Sequence, residues 1–291
     1  MTPAELKGTI IGPVTHRVDA ERVRAFVDAT GDRPERWTEC APPGYAAALL
    51  FSVAGVLLND ERIQPYLATL IHVDQHFTFH DAIHVGSAIE MTGTVDRVRE
   101  RGGAYFVTFS AVGTAGGDVV LESRSTFLMS DEAASESANE RAEPPADARG
   151  PNEQPADARV PIVGDTQSTL KSASRSDLVR YSSATRDFNP LHWDHASARA
   201  AGLDGVVVHG LLMLSWLSQQ CSISGAGPAP VAKIKVRFRS SLAPAVAAVV
   251  ESVVADLSPD GADVQLTVRV VADDADVVTG SAMVRVEGVT P

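Results

Sequence analysis

An internal duplication constrains this fold more than any other feature of the sequence. Asp19 leads into AERVRAFVDATGD and Ser174 leads into RSDLVRYSSATRD, and the two stretches repeat at an offset of 155 residues. Asp and Ser are both favourable N-caps, and each precedes a segment of helical length. The aligned pairs are Phe26 with Tyr181, Ala29-Thr30 with Ala184-Thr185, and Asp32 with Asp187. The chain is therefore expected to form two similar units, each with a helix near its start.

The two units are separated by residues 131–159, which contain no aromatic or β-branched residue and no apolar side chain larger than Ala. This stretch also repeats the string PADAR, beginning at Pro145 and again at Pro155. A segment of this composition cannot bury enough apolar surface to offset the entropy of ordering it. We expect a flexible acidic linker between domains of residues 1–130 and 160–291, with a regulatory docking segment as the alternative.

The later segments of both units repeat one order of elements. An apolar stretch of helical length begins at Pro43-Gly44 in the first unit and at His209-Gly210 in the second. A helix that is apolar nearly all round is enclosed by other structure. The segments that follow are typical of strands, at residues 88–98, 105–113, 119–129, 233–239, 247–257, 264–272 and 277–286. The expected fold class is therefore α+β.

Composition and charge narrow the classes of function. The formal net charge of −12 disfavours a nucleic-acid partner. The longest apolar stretch, residues 206–217, is too short to span a membrane. The opening MTPAELKGTI lacks the apolar core of a secretory signal. Cys40 and Cys221 lie in different halves without ligand-like spacing, which predicts free thiols in a reducing compartment. A cytoplasmic protein is expected.

The string YSSATRDFNPLH, which ends at His192, carries the main chemical signal. It sets Asp187 and His192 five residues apart, with Asn189 and Pro190 between them. Pro190 prevents a helix from continuing, so the helix is expected to end near Asp187. The loop that follows would fold His192 back toward the carboxylate. A carboxylate and an imidazole that converge in this way are suited to moving protons.

This string and the later His209-Gly210 pair resemble the Asp-x-Asn-Pro-x-His signature of the (R)-specific enoyl-CoA hydratases and MaoC-like dehydratases. The resemblance covers residues 160–291 well and the first 130 residues more weakly. Arg186 departs from the pattern, since many relatives carry Gly there. The resemblance implies a hotdog fold, in which an antiparallel sheet wraps round a central helix. Two tandem units would make a double hotdog with one continuous sheet, as a monomer or a homodimer of such chains.

The resemblance also implies roles for individual residues. Asp187 and His192 would share a bound water and interconvert trans-2-enoyl-CoA and (3R)-3-hydroxyacyl-CoA, which makes the protein a hydro-lyase without metal or redox cofactor. Asn189 would orient Asp187 or its loop by hydrogen bonding. The backbone N–H of Gly210, at a helix N-terminus, would hold the thioester oxygen. His209 is assigned a substrate contact or the task of fixing the loop.

The first unit is expected to be a degenerate, non-catalytic hotdog. At the offset of 155, Trp37 stands where His192 stands in the second unit. The stretch from Trp37 to Pro43 is also about eleven residues shorter than that from His192 to His209. The segment missing here covers the active site in relatives. The first unit is therefore expected to shape a pocket for the acyl chain or to complete the sheet as a structural mate.

Two further patterns have competing interpretations. Histidines four apart, at His72, His76, His80 and His84, suggest a metal-binding helix face. The alternation of apolar and polar residues there predicts a strand instead, on which residues four apart are roughly 13 Å distant, so no metal site is expected. A basic row, Lys233, Lys235, Arg237 and Arg239, would contact the phosphates of a CoA or carrier-protein substrate, or form a solvated strand face.

Three alternative functions remain open on the sequence. The first is the same chemistry on an acyl-carrier-protein substrate, as a 3-hydroxyacyl-thioester dehydratase. The second is a hotdog thioesterase, which the Asp187 and His192 pair disfavours because thioester hydrolysis needs a carboxylate aimed at the carbonyl carbon. The third is a non-catalytic acyl-thioester binding or scaffold protein, which has no need of an acid–base pair.

Overall fold

The computed structural model describes residues 2–130 and 161–286 of the protein, so the predicted linker lies outside the described residues. The first unit contains two α-helices and five strands: β1 (Ile10–Arg17), α1 (Ala20–Thr30), α2 (Ala46–Leu58), β2 (Ile71–Phe79), β3 (Ala88–Arg101), β4 (Ala104–Ala115) and β5 (Asp118–Ser130). The second contains three α-helices and five strands: β6 (Thr166–Lys171), α3 (Arg175–Thr185), α4 (His195–Ala200), α5 (Gly210–Ile223), β7 (Val231–Phe238), β8 (Ala248–Leu257), β9 (Asp263–Ala272) and β10 (Ala275–Arg285).

All ten of these strands belong to one antiparallel sheet. Its order is β1-β3-β4-β5-β2-β7-β10-β9-β8-β6, so each unit contributes five adjacent strands in the same arrangement. The two halves join where β2 pairs with β7, with Asp74 opposite Arg237 and Thr78 opposite Lys233. The expected continuation of one half-sheet into the other is therefore confirmed, as is the repetition of one plan.

The apolar helices occupy the positions expected of them. In the second unit α5 packs against all five strands, and in the first unit α2 packs against β1, β3 and β4. Helices α2 and α5 approach each other closely just before the start of α2. A Cβ added to Gly44 there would lie 2.7 Å from Oγ of Ser215 in α5. This close approach accounts for glycine at position 44. Among residues 2–130 and 161–286, no helix has the length and apolar content needed to cross a bilayer.

The sequence did not predict the first strand of either unit. Strands β1 and β6 form the two outer edges of the sheet. The register of β1 shifts between Ile11 and Val14, on either side of Pro13, and proline is tolerated at such edges because no ladder partner needs its N–H. No residue of β6 is fully buried. Neither segment therefore shows the alternation by which the inner strands were recognised.

Candidate active site

The end of helix α3 positions the predicted acid. Ser174 caps its start in a reciprocal pair with Asp177. At its end Arg186 adopts the left-handed conformation, with φ 67°, and its N–H donates to the carbonyl of Ser182 over 2.7 Å. Gly31 ends α1 in the same conformation, with φ 60°. Arg186, although not Gly, thus takes the backbone conformation that Gly adopts at the equivalent position, and the chain turns directly into Asp187.

The loop after Asp187 is held by Asn189 in two ways. Its side-chain oxygen accepts from the N–H of Leu191 over 3.1 Å and so caps the 3-10 turn Pro190–His192. Its backbone N–H donates to Oδ1 of Asp187 over 3.3 Å. The predicted orienting contact to the carboxylate is therefore made by the backbone of Asn189, while its amide side chain shapes the turn.

The turn brings His192 back to Asp187. A carboxylate oxygen of Asp187 and a ring nitrogen each of His192 and His209 all lie within 4.8 Å of one another. These atoms are close enough to share a proton through a bound water or to hold a metal ion. Asp187 is only 7% exposed. Nδ1 of His192 lies 2.8 Å from the carbonyl oxygen of Val207, so it carries a proton and donates it. This fixes the tautomer of a neutral imidazole and leaves Nε2 as the acceptor.

Burial dominates the electrostatics of this pair. Burial raises the pKa of Asp187, opposed by the nearby charge of His192 and the hydrogen bond from Asn189. Burial lowers the pKa of His192, opposed by Asp187 and the contact with Val207. Both shifts favour the uncharged forms. Because the two groups interact closely, they titrate as one system that holds a single proton over an intermediate range of pH.

His209 is placed to support His192. Its ring stacks on that of His192, with centroids 3.7 Å apart and an angle of 25° between the planes. Its Nε2 lies 3.0 Å from Oγ of Ser182, and the residue is fully buried. Burial and the neighbouring imidazole hold the pKa of His209 well below its usual range. These contacts favour the task of fixing the loop over contact with substrate.

Gly210 begins helix α5 and directly follows His209, whose ring stacks on that of His192. A Cβ added there would lie 3.0 Å from the ring of Phe238, so the backbone approaches that ring closely. The first backbone N–H groups of a helix have no partner within the helix and carry partial positive charge. Within the part of the chain that the structure describes, no backbone hydrogen bond outside the regular elements uses the Gly210 amide.

The first unit contains an aligned pair of side chains, Asp32 and Trp37, at the positions equivalent to Asp187 and His192. Nε1 of Trp37 donates to Oδ2 of Asp32 over 2.9 Å, so the indole pairs with the acid that aligns with Asp187. Burial raises the pKa of Asp32 as well. A cavity of about 350 Å³ lies beside it, between residues 36–40 of the first unit and Gly227 and Pro228 of the second. The indole has no basic nitrogen, so this pair cannot exchange a proton as an imidazole does.

The basic row is exposed on β7 and just beyond it. The alternate residues Ile234 and Val236 are buried with α5. The row therefore occupies the face of the sheet opposite the helix. The predicted strand at His72 is confirmed as β2. The histidines along this segment have different partners. His72 contacts the ring of Phe127, while Nε2 of His80, just after the strand, lies 3.6 Å from Glu122.

Sequence reasoning missed two partners of the predicted pair. The Val207 carbonyl that fixes the His192 tautomer is a backbone atom, and no residue type signals it. Ser182, which contacts His209, lies within the repeated helix but aligns with Val27 of the first unit, so the duplication does not identify it.

Comparisons with known proteins show which families the two halves of the chain resemble. Residues 151–275 match the family model described as the MaoC like domain, and residues 5–123 match that described as the FAS1-like, dehydratase domain region. A mitochondrial 3-hydroxyacyl-(acyl-carrier-protein) dehydratase of Arabidopsis thaliana is 36% identical over 78 residues, which are 27% of this chain and 46% of that relative. The chain thus matches less than half the length of the plant protein.

Solved structures establish the fold. A MaoC-like dehydratase superposes with a TM-score of 0.79 at 19% identity, over 97% of this chain and 99% of its own. A Mycobacterium tuberculosis protein described as having a double hotdog fold superposes with a TM-score of 0.67 at 13% identity, over 96% of each chain. The double hotdog expected from the sequence is therefore confirmed.

Proposed function

We propose, on the premise that residues 151–275 match the MaoC like domain and residues 5–123 match the FAS1-like, dehydratase domain region, that the protein is a hydro-lyase that interconverts trans-2-enoyl-CoA and (3R)-3-hydroxyacyl-CoA. Asp187 and His192 are the catalytic pair. The observation that carries the proposal is the hydrogen bond from His192 Nδ1 to Val207, which leaves Nε2 free as a proton acceptor close to a buried carboxyl group.

The pair performs both proton transfers of hydration. In the state with one shared proton, Nε2 of neutral His192 takes a proton from the bound water as its oxygen attacks C3. Protonated Asp187 gives its proton to C2, which completes the addition of water across the double bond. The opposite distribution, with ionised Asp187 and protonated His192, is the other form of the same one-proton state. Activity is expected to peak in a window of pH and to fall on either side.

The thioester oxygen gathers negative charge as water attacks. The backbone N–H of Gly210 is the donor that stabilises it, because it lies at the positive end of α5. Loss of one such donor typically costs roughly 2.7–4 kcal/mol in the transition state. The role needs no side chain, in accordance with the glycine found at position 210.

A second candidate substrate is an acyl chain on an acyl carrier protein. The plant relative that is 36% identical over 78 residues carries this activity in its name. The chemistry at C2 and C3 is the same for both carriers, so the two candidates differ only in what binds outside the reacting atoms.

The test is turnover of a panel of trans-2-enoyl thioesters, from short to long and bulky, on CoA and on a carrier protein. Loss of enoyl absorbance with the wild-type protein and not with His192→Ala supports the proposal. Trp37→Ala, at the aligned position of the first unit, is the matched control and is expected to keep wild-type turnover. The absence of turnover with every thioester would sink the proposal and favour a binding protein instead.

A further inference from the structure

An arginine of the first unit reaches the helix that carries Asp187. Arg22 lies in the first turn of α1, and its Nε donates to the carbonyl of Ala184 over 2.8 Å. Ala184 lies three residues before Asp187, in the last turn of α3. The Nη2 atom of Arg22 is buried without a hydrogen-bond partner among the described residues. This contact crosses the boundary between the two units and is 162 residues long in sequence.

The contact holds the last turn of α3, directly before the loop that carries Asp187 and His192. The last four carbonyls of a helix have no partner within the helix and carry partial negative charge. Arg22 supplies both a donor and a positive charge to one of them. The helices α1 and α3 pack against each other, with Phe26 and its counterpart Tyr181 in ring contact at 5.8 Å. The guanidinium is therefore carried on a rigid element.

The equivalent end of α1 is held by a cation from the second unit. Nζ of Lys171 donates to the carbonyl of Gly31 over 2.8 Å and to Oε1 of Gln219 over 2.7 Å. The amide of Gln219 in turn donates to the carbonyl of Thr30 over 3.2 Å. Each unit thus holds the end of the helix that carries the other unit's aspartate, and only one of these aspartates belongs to the proposed catalytic pair.

Stability alone is a poor account of Arg22. Its surroundings include Arg186, and both burial and that like charge lower the pKa of Arg22. A partly buried cation with an unpaired nitrogen is costly, and replacing it by an apolar side chain of similar length is often neutral for folding. Arg22 is absent from the groups that shift the pKa of Asp187. Its effect on the acid is therefore expected through the backbone that it holds and not through its charge.

We propose that Arg22 is a positioning residue for the hydration reaction, by which the non-catalytic first unit fixes the end of α3 and so the placement of Asp187 against His192. The inference rests on the proposed function. A catalytic group displaced by about 1 Å can lose on the order of 10²-fold in rate. The first unit would then contribute to the chemistry and not only to the sheet.

The test compares Arg22→Met with Lys171→Met, its matched control at the end of α1. Both variants lose a cation and a hydrogen bond to a helix end. Arg22→Met is expected to lower kcat by on the order of 10²-fold with KM nearly unchanged, and to shift the pH profile of kcat. Arg22→Lys, which keeps a donor and the charge, is expected to recover part of kcat. Lys171→Met is expected to keep the wild-type kcat and pH profile.

Two results would overturn the inference. One is a wild-type kcat and pH profile in Arg22→Met, and the other is an equal loss of kcat in Lys171→Met. Arg22→Leu, which also lacks a donor, takes the place of the Met variant if that variant does not fold, and the same outcomes apply. Absence of turnover by the wild-type protein would overturn the proposed function together with this inference, whereas wild-type turnover retained in the Arg22 variants overturns the inference alone.

Discussion

The left-handed residue at the end of α3 offers a quantitative test of the duplicated geometry. Arg186 adopts φ 67° and ψ 21°, and Gly31, at the aligned position, adopts φ 60° and ψ 40°. The backbone is the same and only the side chain differs. Arg186→Gly is therefore expected to stabilise the protein without changing the loop, and Gly31→Ala is expected to destabilise it.

The magnitude follows from two opposed terms. A residue with a Cβ pays roughly 1–2 kcal/mol to adopt the left-handed conformation. Glycine adopts this conformation without that cost. The greater conformational freedom of the unfolded chain at a glycine, however, lowers the free energy of unfolding by roughly 0.4–1 kcal/mol. The net gain for Arg186→Gly is about 1 kcal/mol, or about 2–4 °C in melting temperature. Loss of the repulsion between Arg186 and Arg22 acts in the same direction.

Thermal unfolding at neutral pH measures both changes. Gly31→Ala is the matched reverse, because a Cβ there would meet only Nζ of Lys171 at 3.9 Å, so no steric clash contributes. It is expected to lower the free energy of unfolding by about 1 kcal/mol. A lower melting temperature for Arg186→Gly, or an unchanged one for Gly31→Ala, would contradict this estimate of the backbone cost. Activity of Arg186→Gly should stay at the wild-type level.

Three further outcomes are expected. Asp187→Asn should raise the melting temperature at pH 7, because burial raises the pKa of Asp187. Each unit by which the pKa is raised lowers the stability of the folded protein by roughly 1.4 kcal/mol at a pH where the unfolded chain is ionised. A lower melting temperature would contradict this. Trp37→His in an Asp187→Asn background should show no turnover, since the first unit lacks the segment that follows His192 in the second; recovered turnover would disprove it. Stability should decline as pH falls from 6.5 toward 4. Burial lowers the pKa of His16 and of His72 to about 4, so the unfolded state binds more protons in that window. A melting temperature that stays constant from pH 6.5 to 4 would be the contrary result.

Much of the fold was predictable because both units repeat one pattern. The aligned helices α1 and α3 are recognisable from their N-caps and repetition, the helices α2 and α5 from apolar stretches of helical length, and the inner strands from apolar and polar alternation. The edge strands β1 and β6 do not. Each has only one neighbour in the sheet, and the partly exposed side chains leave no clear apolar alternation. An edge strand buries fewer of its side chains, so its sequence lacks the alternation of apolar and polar residues that predicts a strand.

The candidate site was predictable where side chains carry the chemistry. Asp187 and His192 lie close together, with His209 beside them, while the role of the Gly210 amide stays a prediction. The carbonyl of Val207 and the contact from Arg22 were not predictable, because backbone atoms have no residue identity and the Arg22 contact spans 162 residues. Contact of the basic row on β7 with substrate phosphates stays a prediction. Alternation along a strand fixes which residues share a face but not whether that face meets the site.

The assignment of catalysis to Asp187 is tested by the initial rate of enoyl absorbance loss on a trans-2-enoyl thioester, measured for the wild type, Asp187→Asn and Asp32→Asn. The two variants remove the same charge from aligned positions of the two units. Asp187→Asn is expected to lose nearly all turnover, and Asp32→Asn is expected to keep it. Equal rates in all three proteins, or a loss confined to Asp32→Asn, would contradict the assignment of chemistry to the second unit.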